Sequence, residues 1–316
     1  MKYSRQELVI GKKGQKALQK ASIVIIGVGA LGSVAAELLC RAGVGRLLLI
    51  DRDVVEISNL QRQLLYGEKD VGKFKVNVAV RRLKQINSDF LCSGVITDLN
   101  FRNVDVLSGY DLVLDCSDNL SVRFLLNEYC SREKIPWVYA GAIGEQGNVL
   151  SLIPGGVCFR CLFSETSRLG TCDTVGVLNT VTTAIAALQV QEALKILTGH
   201  FDSQRLFRLN LKTMQFSSLK VKKDKKCRVC SGEHRYLNGA SEHRVLVKQC
   251  SSLYQFFLED VDLNVLKKRW KKLGSVKSGS GYLFWEKLSV FSTGKVFVRA
   301  KSMKEAKSLV AKYVGM

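Results

Sequence analysis

The sequence predicts an α/β protein: a doubly wound, Rossmann-like sheet braced by a structural four-cysteine clamp, followed by a small C-terminal α+β domain. Three observations predict it. A glycine-rich turn, Gly27-Val28-Gly29-Ala30-Leu31-Gly32, follows a short β-branched run and opens a helical pattern. Apolar runs of strand length then alternate with helical periodicity as far as Asp115. Downstream stand two CxxC pairs, Cys158/Cys161 and Cys227/Cys230.

Taken in order, Ser22 to Ile26 reads as a strand ending in the glycines, Val34, Ala35, Leu38 and Leu39 mark a helical face, and Arg46 to Ile50 is a second strand ending at Asp51. A helix over roughly 73–85 leads to a strand at Ser93 to Ile96, and Asp111 to Asp115 closes a buried strand of the form DLVLD. Such alternation implies a mostly parallel sheet, because parallel neighbours need a crossover helix between them. After Pro136, Trp137 to Ala140 and Asn148 to Ile153 read as further strands, and a long helix with small packing residues spans about 178–197.

Residues 236–316 have a different character and read as a separate domain after a first domain of 1–235. They hold 15 Lys/Arg against 6 Asp/Glu. Leu263, Leu266, Trp270 and Leu273 make one helical face, with Lys267, Lys268, Arg269, Lys271 and Lys272 on the others. Tyr282 to Phe291 and Lys295 to Arg299 flank a hairpin turn at Ser292-Thr293-Gly294, and Ser302-x-x-Glu305 is a capping box that opens a last helix with Ala306, Leu309, Val310 and Tyr313 inward. No catalytic set is evident there, and its role is not legible; the lysine-rich helix is expected to attract an acidic surface.

At 316 residues and 47% hydrophobic content the chain is expected to fold as one large and one small globular domain. No apolar run approaches the length of a membrane span and the first residues lack the apolar core of a signal peptide, so a cytoplasmic protein with reduced thiols is expected. The net charge of +20 favours acidic partners without choosing among nucleic acid, membrane surface and protein. Aromatics do not interleave the Lys222 to Lys226 run, which leaves nucleic-acid binding unsupported.

A CxxC turn lets two thiolates reach one metal, and two such turns complete a tetrahedral shell of four thiolates with no open position. Zn²⁺ is the expected ion, and its role structural. Of the other cysteines, Cys40, Cys92, Cys116, Cys130 and Cys250 lie in apolar surroundings and read as core residues, while Cys172 stands ahead of the long helix, whose dipole favours thiolate.

The glycine turn can accept a phosphate on its amides and on the helix N-terminus, and Asp51, 19 residues beyond Gly32, can hold ribose hydroxyls. On these residues alone a dinucleotide-dependent oxidoreductase fits equally well, and a non-catalytic basic scaffold for RNA or protein also stays open. The next motifs are Ser58-Asn59-Leu60-Gln61-Arg62-Gln63, Asp70-Val71-Gly72-Lys73-Phe74-Lys75 and Asp115-Cys116-Ser117-Asp118-Asn119. Together with Arg5-Gln6 and the two CxxC pairs, they resemble the ThiF/MoeB/HesA family of E1-like adenylyltransferases over about residues 1–232.

The resemblance implies ATP-dependent adenylation of the C-terminal glycine of a small ubiquitin-like sulfur-carrier protein ending in Gly-Gly. It implies that Gly27, Gly29 and Gly32 line the ATP, that Asp51 binds ribose, and that Ser58, Asn59, Arg62, Lys75 and Asn119 hold the nucleotide. Asp118 would position Mg²⁺, so Arg62, Lys75 and Asp118 form the implied catalytic set, with Cys172 as a candidate covalent thiol. It further implies a homodimer in which Arg5 reaches the partner's ATP, and a separate sulfur donor, since no rhodanese domain follows. Two departures stand out: Ala30 where many relatives have glycine, and Leu178-Asn179-Thr180-Val181 where Gly-Pro is usual.

Overall fold

The computed structural model describes residues 2–164, 176–239, 247–250, 253–258, 261–279 and 281–315. The chain divides into two compact units, Met1–Asn238 and Gly239–Met316.

The first unit opens with helix α1 (Ser4–Lys20), broken at Gly11, and strand β1 (Ser22–Ile26). Helix α2 (Ala30–Ala42), strand β2 (Arg46–Ile50), helix α3 (Lys75–Ile86), strand β3 (Leu91–Val95), strand β4 (Leu112–Asp115) and helix α4 (Leu120–Glu133) follow. Strands β5 (Trp137–Ile143) and β6 (Gln146–Leu152), the short helix α5 (Phe159–Leu162), helix α6 (Asn179–Thr198) and strands β7 (Arg205–Asn210) and β8 (Gln215–Lys220) complete the elements of the sheet domain. The strands form one sheet in the order β3-β2-β1-β4-β5-β6-β7-β8. The first five are parallel; β5 through β8 pair antiparallel.

The parallel part explains itself physically. Ser22–Ile26 and Leu112–Asp115 are apolar on both faces because helices cover both, and two separate apolar clusters result, one around Ile23, Leu47 and Ala35, the other around Val24, Phe124 and Trp137. Strand order reverses between β1 and β4, and a crevice at such a reversal, beyond the carboxyl ends of the strands, is where α/β sheets take ligands. The hairpin β7–β8 was not expected from the sequence, since RLFRLN and QFSSLK are mostly exposed or half-buried and carry no strong apolar period.

Tyr236, Leu237 and Asn238 belong to this unit. The buried Glu128 carboxylate accepts the N–H groups of Tyr236 and Leu237 at 2.7 and 3.0 Å, and Tyr236 stacks on Phe124 at 5.2 Å.

The second unit is a six-stranded antiparallel sheet of β9 (Val247–Cys250), β10 (Leu253–Phe257), β11 (Lys277–Gly279), β12 (Tyr282–Trp285), β13 (Leu288–Phe291) and β14 (Lys295–Arg299), in the order β11-β12-β13-β14-β10-β9. Helices α7 (Leu263–Lys271) and α8 (Met303–Tyr313) share its core with Leu266, Trp270, Ala306 and Val310. Two expectations are corrected. Tyr282 to Phe291 is not one strand but a hairpin turning at Glu286-Lys287, with Glu286 at φ 47°, a turn that no Gly, Asn or Asp announces. Leu273 lies beyond the end of α7 and is 52% exposed. In the cap of α8, Ser302 Oγ accepts the Glu305 N–H, while the Glu305 carboxylate reaches back to the N–H of Lys301 rather than of Ser302. No described helix is long and apolar enough to cross a membrane.

Candidate functional site

The glycine turn leaves β1 at the reversal of strand order. Gly27 has φ +86°, and a Cβ there would lie 2.8 Å from the Cys116 carbonyl oxygen. A Cβ on Gly32 would lie 1.9 Å from the Gly27 carbonyl oxygen, so the close approach of turn and helix requires glycine at both positions. Gly29 is different. A Cβ there would meet only Gln63 Nε2, at 3.7 Å, among the described residues, so the space beside it is open. Gly29 precedes the first turn of α2, whose leading N–H groups have no partner inside the helix. An anion fits there. Gly32→Ala is accordingly expected to cost about 3 kcal/mol or more by overpacking and to lower Tm by roughly 6–12 °C, against about 2 °C or less for Gly29→Ala, measured by thermal denaturation.

Asp51 ends β2 beside the turn. Its Oδ2 accepts the Val28 N–H at 2.6 Å and its Oδ1 the Asp53 N–H at 2.7 Å. Burial pushes its carboxyl up from the ordinary value, against the pull of the Lys75 charge and of those two N–H groups.

Lys75 opens α3 and is 6% exposed, with Nζ 3.3 Å from the Asp53 carboxylate. Burial opposes its charge, but Asp53, Asp51 and Asp118 outweigh that and raise its pKa. The ammonium is therefore fixed as a cation at neutral pH. Asp53 also faces Arg52 at 3.7 Å, and Arg52 pairs with the buried Asp98, so a chain of charges links the ends of β2 and β3 to the start of α3. Arg52, Asp53 and Asp98 were not singled out from the sequence; the acidic pair flanking Arg52 after an apolar strand was the available signal.

Residues 56–66 wrap over the glycine turn. Asn59 is buried and its Oδ1 accepts the Glu56 N–H at 3.1 Å, while Ser58 is exposed and its carbonyl accepts Arg62 Nη1 at 2.9 Å. Tyr66 Oη donates to the Val28 carbonyl at 2.8 Å, which pins the turn from above. Tyr66, too, went unread in the sequence.

At the end of β4, Asp115 is buried against Arg123 at 3.2 Å and accepts both the N–H and the hydroxyl of Ser117. Arg123 also donates to the Ser117 carbonyl, and this pair fixes the turn that carries Asp118. Asp118 is exposed, and its charge contributes to holding Lys75 and Arg52 protonated. Asn119 is the N-cap of α4, its Oδ1 accepting the Ser121 N–H at 2.8 Å.

Thus hydrogen bonds, an ion pair and electrostatic contacts bring the glycine turn, Asp51, Lys75 and Asp118 together at the carboxyl ends of β1, β2 and β4, whereas Asn59 and Arg62 lie on the neighbouring segment, their hydrogen bonds made within their own turn. Arg5 stands apart, exposed in the first turn of α1, and among the described residues no hydrogen bond or ion pair joins it to the others. Cys172 lies outside the described residues.

The four clamp cysteines converge. Their Sγ atoms all lie within 4.8 Å of one another, with Cys158–Cys161, Cys158–Cys227 and Cys161–Cys230 at 3.7, 3.5 and 3.6 Å. All four are free thiols. A tetrahedral ion with metal–sulfur bonds of about 2.3 Å needs sulfur–sulfur separations of about 3.8 Å, and these three pairs lie close to that value. Asn127 Oδ1 anchors the first turn by accepting the Phe159 N–H at 2.7 Å, and burial pushes the thiols of Cys158 and Cys230 up, the latter to about 11. Cys40, Cys92, Cys116 and Cys130 are buried; the Cys250 side chain lies outside the described part of the chain.

Comparison with known proteins agrees with this geometry. The chain is 33% identical over 333 aligned positions to the sulfur carrier protein ThiS adenylyltransferase of Bacillus subtilis (strain 168), covering 99% of each chain. It is 36% identical to the SAMP-activating enzyme E1 of Haloferax volcanii, over 72% of this chain and 88% of that one, and 37% identical to the molybdopterin-synthase adenylyltransferase of Escherichia coli (strain K12), over 73% and 96%. Among solved structures, E. coli MccB crystallised with MccA-N7isoASN superposes with a TM-score of 0.66 at 25% identity, covering 73% of this chain and 75% of that one. Residues 3–229 match the model of the ThiF family, and the chain belongs to that family.

Proposed function

We propose that this chain is an ATP-dependent adenylyltransferase that activates the C-terminal glycine of a small ubiquitin-like sulfur-carrier protein, ThiS- or MoaD-like, releasing pyrophosphate. The acyl-adenylate then serves thiocarboxylate formation or conjugation. The observation that carries the reading is the meeting of a fixed cation, Lys75, and an exposed carboxylate, Asp118, at an open glycine turn. The names of the relatives support the substrate class.

The chemistry needs no general base, because a peptide carboxylate is already ionised at neutral pH; it needs its negative charge balanced as it approaches the α-phosphate. Gly27, Gly29 and Gly32 let the backbone approach the nucleotide, Asp51 takes the ribose hydroxyls, and Ser58, Asn59, Arg62, Lys75 and Asn119 hold the phosphate side. Mg²⁺, when bound at Asp118, supplies further charge neutralisation. Zn²⁺ suits the Cys158, Cys161, Cys227 and Cys230 cluster, whose closed shell leaves it a structural part. Arg5 is assigned to the partner subunit's nucleotide in a homodimer, supported by its exposure beside Leu8 and Val9, apolar residues 79% and 84% exposed on the same helix. Cytoplasmic placement, with a separate protein as sulfur donor, completes the reading.

The test is carrier-dependent ATP–pyrophosphate exchange, run with each Gly-Gly-ending protein of the same cell. Exchange with one carrier is expected; a folded, zinc-loaded protein that exchanges with none of them counts against the proposal. Cys172→Ser is expected to keep full exchange, because a thiol acts only after the carboxylate is activated, and loss of exchange in that variant reverses the order of steps.

A further inference from the structure

We infer that Gln63 is an additional nucleotide-binding residue, whose side-chain amide N–H donates to an oxygen of the phosphate chain at the open glycine turn; this rests on the ATP reading above. Two observations meet here. Gln63 is 4% exposed, and its Oε1 is buried without any hydrogen-bond partner among the described residues. Its Nε2 lies 3.7 Å from the position that a Cβ on Gly29 would occupy, and among the described residues, Gly29 and its chain neighbours aside, no other atom lies within 4 Å of that position.

A buried amide oxygen without a donor is unfavourable, and a long, flexible glutamine escapes that cost unless something fixes its orientation. Backbone hydrogen bonds fix its place in the chain: the Gln63 N–H donates to the Asn59 carbonyl and its own carbonyl accepts the Tyr66 N–H. Neither holds the side chain. What the orientation achieves is to turn the donor end toward the turn, beside the leading N–H groups of α2. An NH₂ group in that position adds a hydrogen bond to an anion, and its uncharged character leaves the balance set by Lys75 and Asp118 unchanged.

The experiment measures binding of ATP and of adenosine by calorimetry to the full chain and to Gln63→Leu and Gln63→Glu. Leucine removes the donor, whereas glutamate keeps the shape and places a carboxylate against phosphate, so the comparison stays decisive if an apolar residue there does not fold. ATP affinity is expected to fall about tenfold or more in each variant that folds, and most in Gln63→Glu, with adenosine affinity unchanged. Unaltered ATP affinity in Gln63→Glu, or equal losses for ATP and adenosine, overturns the inference while leaving the ATP reading intact. A wild-type chain that binds neither ligand removes both.

Discussion

Asp118→Ala and Arg62→Ala are each expected to lower carrier-dependent pyrophosphate exchange by about a hundredfold or more, with zinc content and Tm unchanged. The expected size follows from where the charges sit. Asp118 is exposed at the end of a turn that Asp115 and Arg123 already fix, so its removal takes away a ligand for the cation and leaves the fold alone. The Arg62 guanidinium is held by the Ser58 carbonyl, 2.9 Å away, a bond within its own turn of chain. Neither residue supports the core. If the phosphates and the incoming carboxylate rely on them, the loss appears in the chemical step, and radiolabelled pyrophosphate exchange at saturating ATP reads it directly. Near-normal exchange in both variants would overturn the adenylation assignment.

The second large effect is on folding. Chains carrying Cys227→Ser and Cys230→Ser together are expected to hold less than about one tenth of a zinc equivalent and to unfold far below the wild-type temperature, or to accumulate as insoluble protein. Structural zinc contributes on the order of 10 kcal/mol in small zinc peptides, comparable with the roughly 5–15 kcal/mol that stabilises a whole domain. The mutated pair leaves Cys158 and Cys161 facing two hydroxyls, and two thiolates alone do not close a tetrahedral shell. Metal analysis together with thermal denaturation checks it. Protein purified without chelator that never contained zinc, or that retains it after the double change, would refute the clamp. Acid acts in the same direction: the Cys230 thiol without a metal sits at about 11, so metal binding must expel protons and weakens as pH falls.

Much of the architecture was legible because it rests on local rules. β1, the glycine turn, α2 and β2 follow from periodicity and from glycines that close packing demands, and the CxxC pairs announced a convergence that the thiol positions display. What escaped were features that only tertiary structure creates. Strand β7 gains its stability from pairing with β6, and β8 from pairing with β7, rather than from an apolar pattern of their own, and the Glu286-Lys287 turn lacks the residues that usually favour positive φ. In the site, Asp53 and Tyr66 act through contacts with residues 22 and 38 positions away, to Lys75 and Val28. No linear spacing encodes those meetings.

The antiparallel end of the sheet has a colloidal consequence. β8 is the last strand, so among the described residues one side of its backbone has no neighbouring strand, and Met214, Phe216 and Leu219 around it are 80%, 54% and 46% exposed. An apolar margin of this kind is a template for pairing with another molecule, and natural proteins guard such margins with lysine. Lys212, Lys220, Lys222 and Lys223 stand exposed at both ends of the strand, in a chain of net charge +20. These gatekeepers act through repulsion, and repulsion is screened: at about 1 M salt the screening length shrinks to roughly 3 Å. The same lysines that keep molecules apart in dilute buffer lose that power in concentrated salt, so the protein's solubility is tied to ionic strength through a strand remote from its chemistry.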